Sequence, residues 1–89
     1  MAWRIEFVPV AAKELNAIGS TQASRIVKFL STRLAKLDDP RSIGEAPKGR
    51  LGQLWKYRIG DYRIIADIQD TRVLILVVRI GHRREVYKR

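Results

Sequence analysis

The sequence contains no cysteine and a single histidine, His82, among its 89 residues. Without cysteine there is no disulfide framework, no thiolate nucleophile and no sulfur-ligated zinc or iron site. One histidine is too few for a His-based metal centre, so neither a metal nor any other cofactor is expected. Acidic residues are also scarce, 9 Asp+Glu against 18 Lys+Arg. They are scattered, and Asp61, Asp67 and Asp70 do not supply the cluster that two-metal or paired-carboxylate hydrolysis requires. Long apolar runs are missing as well: the longest, Val73 to Val78, is far short of the roughly 18 to 20 residues of a membrane span. The opening Met1-Ala2-Trp3-Arg4-Ile5-Glu6 has no apolar signal region. A soluble cytoplasmic protein with no membrane partner is expected. There is no phosphate loop with GK[ST], no dinucleotide fingerprint, no nucleophile elbow and no HExxH. Any catalysis should therefore be metal-free and cationic.

What is present is enough apolar material for one core, 46% of residues, and a net charge of +9. Residues 1–89 are expected to form one domain. The charge is uneven: residues 1–47 hold seven Lys/Arg and five Asp/Glu, a balance of +2, and residues 48–89 hold eleven and four, a balance of +7. A basic surface of this kind attracts polyanions or an acidic partner.

Trp3-Arg4-Ile5-Glu6-Phe7-Val8 alternates apolar and charged residues, which predicts a half-buried strand with Trp3, Ile5 and Phe7 inward. Pro9 ends it and opens a short helix to Ile18, stopped by Gly19. Ser20 or Thr21 then caps a second helix to about Leu37. Its apolar stripe is Ala23, Ile26, Val27, Leu30, Leu34 and Leu37, at spacings of three and four. Asp38 to Gly52, with Pro40, Gly44, Pro47, Gly49 and Gly52, has the composition of a long loop. Three strands follow, Leu54 to Ile59, Tyr62 to Ile68 and Val73 to Ile80, separated by Gly60-Asp61 and by Gln69 to Arg72. The expected class is α+β, with an N-terminal strand, a helical hairpin and a three-stranded antiparallel meander, and one antiparallel sheet packed on the helices.

If Gly60-Asp61 is a two-residue hairpin turn, Ile59 pairs with Tyr62 and Arg58 lies directly opposite Arg63. Alternation places Lys56 on the face of Arg58, opposite Ile65, and turns Trp55, Tyr57, Ile64 and Ala66 toward the core. Like charges facing each other on a sheet destabilise it unless the side chains splay into solvent or hold an anion. Arg79, Arg83 and Arg84 form a second basic group at the end of the last strand, where Gly81 permits a change of direction and leaves His82 outside the sheet. Tyr87 can stack on a base or anchor the tail.

Two stretches carry a family resemblance: Leu51-Gly52-Gln53-Leu54-Trp55-Lys56-Tyr57-Arg58-Ile59-Gly60-Asp61-Tyr62-Arg63-Ile64, and Val78-Arg79-Ile80-Gly81-His82-Arg83-Arg84-Glu85-Val86-Tyr87. With GDYR and GHRxxVY at this separation, the chain resembles the RelE/ParE superfamily of toxin–antitoxin toxins, and within it the RelE branch. The resemblance implies a toxin of a type II toxin–antitoxin system, a small basic endoribonuclease that cuts messenger RNA in the ribosomal A site. The implied partners are a RelB-like antitoxin, the ribosome and messenger RNA, with operator DNA reached only through the antitoxin. The implied catalytic positions are Lys56, Arg58, Arg63, Arg83 and Tyr87. Well-studied RelE toxins have lysine where this chain has Arg58, and arginine is a poor proton acceptor. This leaves Lys56 and His82 as general-base candidates, and Lys56 is favoured because two neighbouring arginines disfavour its protonated form. Lys48, Arg50, Arg79 and Arg84, with the basic residues of the second helix, are expected to contact ribosomal RNA phosphates. The alternative within the superfamily is a ParE-like toxin that acts on DNA gyrase without catalysis.

Overall fold

Alternation at the N-terminus produces strand β1, Arg4–Phe7, and Pro9 begins helix α1, Pro9–Ala17. The computed structural model describes residues 2–46 and 54–82. Lys48, Arg50, Arg83, Arg84 and Tyr87 lie outside the described residues. Gly19, at φ 92°, separates α1 from α2, Ser20–Lys28. It is itself the N-cap, and neither Ser20 nor Thr21 caps with its side chain.

The second helix does not run as one α-helix to Leu37. After Lys28 it widens into a π turn, Phe29–Arg33, and then tightens to a 3₁₀ turn, Leu34–Lys36. At this point the Ser31 and Thr32 hydroxyls donate to the carbonyls of Val27 and Lys28. Such hydroxyls compete with the backbone ladder for the same acceptors and distort the helix. Most of the apolar stripe behaves as expected, with Ile26, Leu30 and Leu34 fully buried, but Val27 is exposed. The widened turn still delivers Leu30 and Leu34 to the sheet.

Strands β2 (Trp55–Ile59), β3 (Tyr62–Gln69) and β4 (Leu74–His82) form the expected antiparallel meander. The sheet order is β1-β4-β3-β2, and β1 joins β4 in parallel. The sheet is therefore mixed rather than antiparallel throughout, because the helical hairpin carries the chain across one face before β4 returns beside β1. Trp3, Ile26, Leu30, Leu34, Tyr57, Ile64, Ala66, Ile75, Val77 and Ile80 make the core between sheet and helices.

One irregularity sets the end of β4. Ala66 faces Val77 but Ile65 faces Arg79, so Val78 is an extra residue on β4. Had the register continued unbroken, Arg79 would lie opposite Ile64 in the core. The bulge puts Ile80 there instead, fully buried, and turns Arg79 to the other face. Gly81 does not turn the chain: it pairs with Arg63, and His82 pairs with Tyr62 as the last residue of the strand. Beyond β1 the edge of β4 is closed by Glu14 of α1, which accepts from the Ile80 N–H at 2.7 Å and from Arg79 Nε at 2.9 Å.

The segment before β2 is fastened from several directions. Arg41 donates to both carboxylate oxygens of Asp70, at 3.1 and 3.0 Å, and to the Ile68 carbonyl. The hydrogen bond from Arg41 lowers the carboxyl pKa of Asp70 below its ordinary value. A depressed folded-state pKa gives stability that is present above the ordinary carboxyl range, about 3.9, and lost as pH falls through the folded value. The stability difference between wild type and Asp70→Asn should therefore be present at neutral pH and vanish in acid. Denaturant midpoints measured from pH 7 to pH 2 check this; a difference that persists at pH 2 refutes it.

Candidate functional site

The predicted hairpin register holds at every position: Arg58 faces Arg63, Lys56 faces Ile65 and Tyr57 faces Ile64. Gly60, at φ 58°, supplies the left-handed residue that the two-residue turn needs. Tyr57, Ile64 and Ala66 are buried against the helices, so Lys56, Arg58, Arg63 and Arg79 share the opposite face.

The four cations have different surroundings. Arg58 is exposed, and no carboxylate partner faces it among the described residues. Arg63 folds back over its own hairpin, with Nη1 donating to the carbonyls of Gly60 and Tyr62, each at 3.1 Å. The Arg25 guanidinium of α2 lies over the same turn, where a Cβ on Gly60 would stand 3.3 Å from Nη1. Arg79 is tied to Glu14, so its charge is already matched. Lys56 Nζ lies 3.0 Å from Glu45 Oε2. A carboxylate at that distance favours the ammonium form and opposes the effect expected from the two arginines.

Glu45 is the residue that sequence reasoning missed. It lies in a stretch without periodicity, and its only signal was being an isolated acid in a long glycine- and proline-rich loop. Its backbone exchanges two hydrogen bonds with Lys56, at 3.0 and 2.9 Å, so the loop adds a short bridge to the free edge of β2. Trp55 Nε1 donates to the Ile43 carbonyl and the Tyr57 hydroxyl to the Pro40 carbonyl, both at 2.7 Å. Burial pushes the Tyr57 phenol far above its usual pKa, so it remains a donor. The result is a groove of 460 Å³ along β2, lined among others by Phe29, Arg33, Gly44, Glu45, Lys56 and Arg58.

His82 is elsewhere. It lies beside Tyr62, ring centroids 5.9 Å apart and edge to face, in a separate cleft with Glu14 and Arg79. Tyr62 and His82 share the helix-facing side of the sheet with Ile64 and Ile80, opposite to the face of Lys56, Arg58 and Arg63. Among the described residues no three His, Asp or Glu side chains are placed to hold a metal ion, and no helix is long and apolar enough to cross a membrane.

A small mixed sheet with a helical hairpin on one face and a basic hairpin on the other defines a class of compact cationic α+β proteins. Comparison places the chain within it. A family model described as the ParE toxin of type II toxin–antitoxin system, parDE, matches residues 5–87, and the chain belongs to that family, within the RelE/ParE superfamily of toxins. It is 24% identical to Toxin RelG of Mycobacterium tuberculosis over 89 residues, covering 100% of both chains. Its fold matches the toxin–antitoxin complex RelBE2 of M. tuberculosis with a TM-score of 0.84 at 21% identity, covering 96% of this chain and 95% of that one. It also matches the isolated E. coli RelE toxin with a TM-score of 0.72 at 24% identity, covering 97% and 92%. The protein is a type II toxin–antitoxin toxin.

Proposed function

We propose that the protein is a ribosome-dependent endoribonuclease that cleaves messenger RNA in the A site and is neutralised by a RelB-like antitoxin. The observation that carries this reading is the β2–β3 register, which sets Arg58 against Arg63 beside the Lys56–Glu45 pair. In the reaction the ribose 2′-hydroxyl attacks the adjacent phosphorus. The O2′–P bond forms as the P–O5′ bond breaks, giving a 2′,3′-cyclic phosphate and a 5′-hydroxyl. Arg58 and Arg63 stabilise charge on the non-bridging oxygens, as planar, permanently charged forks. Arg83 neutralises the charge on the leaving 5′-oxygen, which takes up a proton from solvent water, and Tyr87 stacks on a nucleotide. The 2′-hydroxyl proton goes to the Lys56–Glu45 pair: its carboxylate is an acceptor as it stands, and its ammonium steadies the phosphate. This reading gives His82, which lies on the other face of the sheet, no part in the proton transfer. The ribosome orients the RNA for in-line attack.

Mapping transcript 5′ ends after induction tests the reading, with new ends expected inside translated codons. Single-turnover rates against pH then test the base: Glu45→Gln and Lys56→Ala should each cost about 10²-fold or more and flatten the limb of the profile, and His82→Ala should not. A limb lost only in His82→Ala overturns the assignment. The family model's ParE description favours a second reading, a toxin acting on DNA gyrase. That reading predicts cleaved DNA complexes and no new transcript ends.

A further inference from the structure

The groove along β2 has an outer wall that the hairpin chemistry does not use. Lys56, Tyr57 and Arg58 of β2, the loop at Gly44-Glu45, and Phe29 and Arg33 of the π turn line the groove together. Arg33 Cζ lies 5.9 Å from the centre of the Phe29 ring, a cation–π contact that limits the freedom of the guanidinium. Arg33 and Arg58 line the same groove, and neither has a carboxylate partner among the described residues. The one carboxylate lining the groove, Glu45, is paired with Lys56. Two unmatched guanidinium groups lining one groove repel unless an anion lies between them.

The walls are also held before any ligand arrives. The bonds from Trp55 to Ile43, from Tyr57 to Pro40 and between the Glu45 and Lys56 backbones fix the loop against β2. Phe29 in turn packs at 6.1 Å on Tyr57, so the π turn and the strand share one aromatic contact. A preorganised pair of forks separated by a groove suits a tetrahedral anion with several acceptor oxygens.

We propose that this groove is a phosphodiester subsite for single-stranded RNA, with Arg33 as the positioning residue that clamps a phosphate next to the one Arg58 and Arg63 act on. The proposal rests on the RNA-cleaving reading for its choice of ligand. RNA is favoured over an acidic peptide because Arg58 both lines this groove and stands opposite Arg63 across the hairpin, so a phosphate chain held in the groove would continue to the proposed reaction site.

The test measures binding rather than cleavage, so it stands or falls apart from the proposed reaction. The full chain is titrated with a fully 2′-O-methylated oligoribonucleotide, which cannot be cut, over a range of salt concentrations. Arg33→Ala should weaken binding about tenfold and reduce the slope of log K against log salt by about 0.7, the loss of one phosphate contact on a single strand. Arg33→Lys should keep most of the slope and lose part of the affinity, because the charge remains and the fork does not. Arg72→Ala, on the turn between β3 and β4, should change neither. Thermal unfolding of each variant accompanies the titrations. An unchanged slope in a folded Arg33→Ala protein overturns the proposal. So does equal competition by poly-glutamate, which points to an acidic peptide, or by millimolar inorganic phosphate, which points to a free-anion site.

Discussion

Alanine at Arg63 is expected to lower transcript cleavage about 10²- to 10³-fold and to abolish growth inhibition, with the fold retained. The figure is the usual loss on removing one donor that stabilises developing negative charge. Arg63 is well suited to the task because its guanidinium is braced by the Gly60 and Tyr62 carbonyls, and its place opposite Arg58 is set by the two-residue turn. The side chain leaves the sheet on the face away from the core, so its removal creates no cavity. The two turn carbonyls it releases are at the hairpin tip, where water replaces the lost bonds. Single-turnover cleavage on ribosome-bound messenger, with a denaturant melt alongside, separates the two effects. A folded Arg63→Ala protein that cuts at the wild-type rate would remove Arg63 from the mechanism.

Gly44→Ala should have the largest effect on stability. Gly44 has φ 79°, and an added Cβ would stand 2.5 Å from the Lys56 carbonyl oxygen, 2.8 Å from the Tyr57 ring and 2.9 Å from Trp55 Nε1. Backbone strain at such a residue costs about 1–3 kcal/mol, and overpacking against fixed atoms costs about as much again. Set against a total stability of about 5–15 kcal/mol, this is a severe change. It also presses the loop away from β2, so Glu45 leaves Lys56 and activity falls even in molecules that remain folded. Gly19→Ala isolates the clash, since Gly19 has φ 92° but nothing within 4 Å of an added Cβ. Urea midpoints should fall modestly for Gly19→Ala and much further for Gly44→Ala. Equal shifts would mean that the close approach at Gly44 carries no energetic weight.

Much of the site was legible because a two-residue hairpin leaves register no freedom. Once Gly60-Asp61 is the turn, Arg58 must face Arg63, and period two puts Lys56 beside Arg58 and Tyr57 in the core. The helices were legible for a similar reason, since Pro9, Gly19 and the spacing of Ile26, Leu30 and Leu34 are local signals. The length of α2 was not legible. Ser31 and Thr32 are ordinary surface residues in a helical pattern, and only their bonds to the preceding turn show how they open it.

Local pattern alone determined the presence of strands β1 to β4 and helices α1 and α2, the hairpin pairing and the cationic face, because each depends on residues close together in the chain. Tertiary structure decided the rest. The parallel docking of β1 on β4 depends on how the helical hairpin crosses the sheet. The bulge at Val78 follows from the core accepting Ile80 and refusing Arg79, and it carries His82 to the face opposite Lys56. The Lys56–Glu45 pair exists because Trp55 and Tyr57 hold the loop against β2 through carbonyls 12 and 17 residues away. Contacts of that separation leave no periodicity in sequence; they arise only when burial brings an unpaired indole N–H and a phenol within reach of free backbone acceptors.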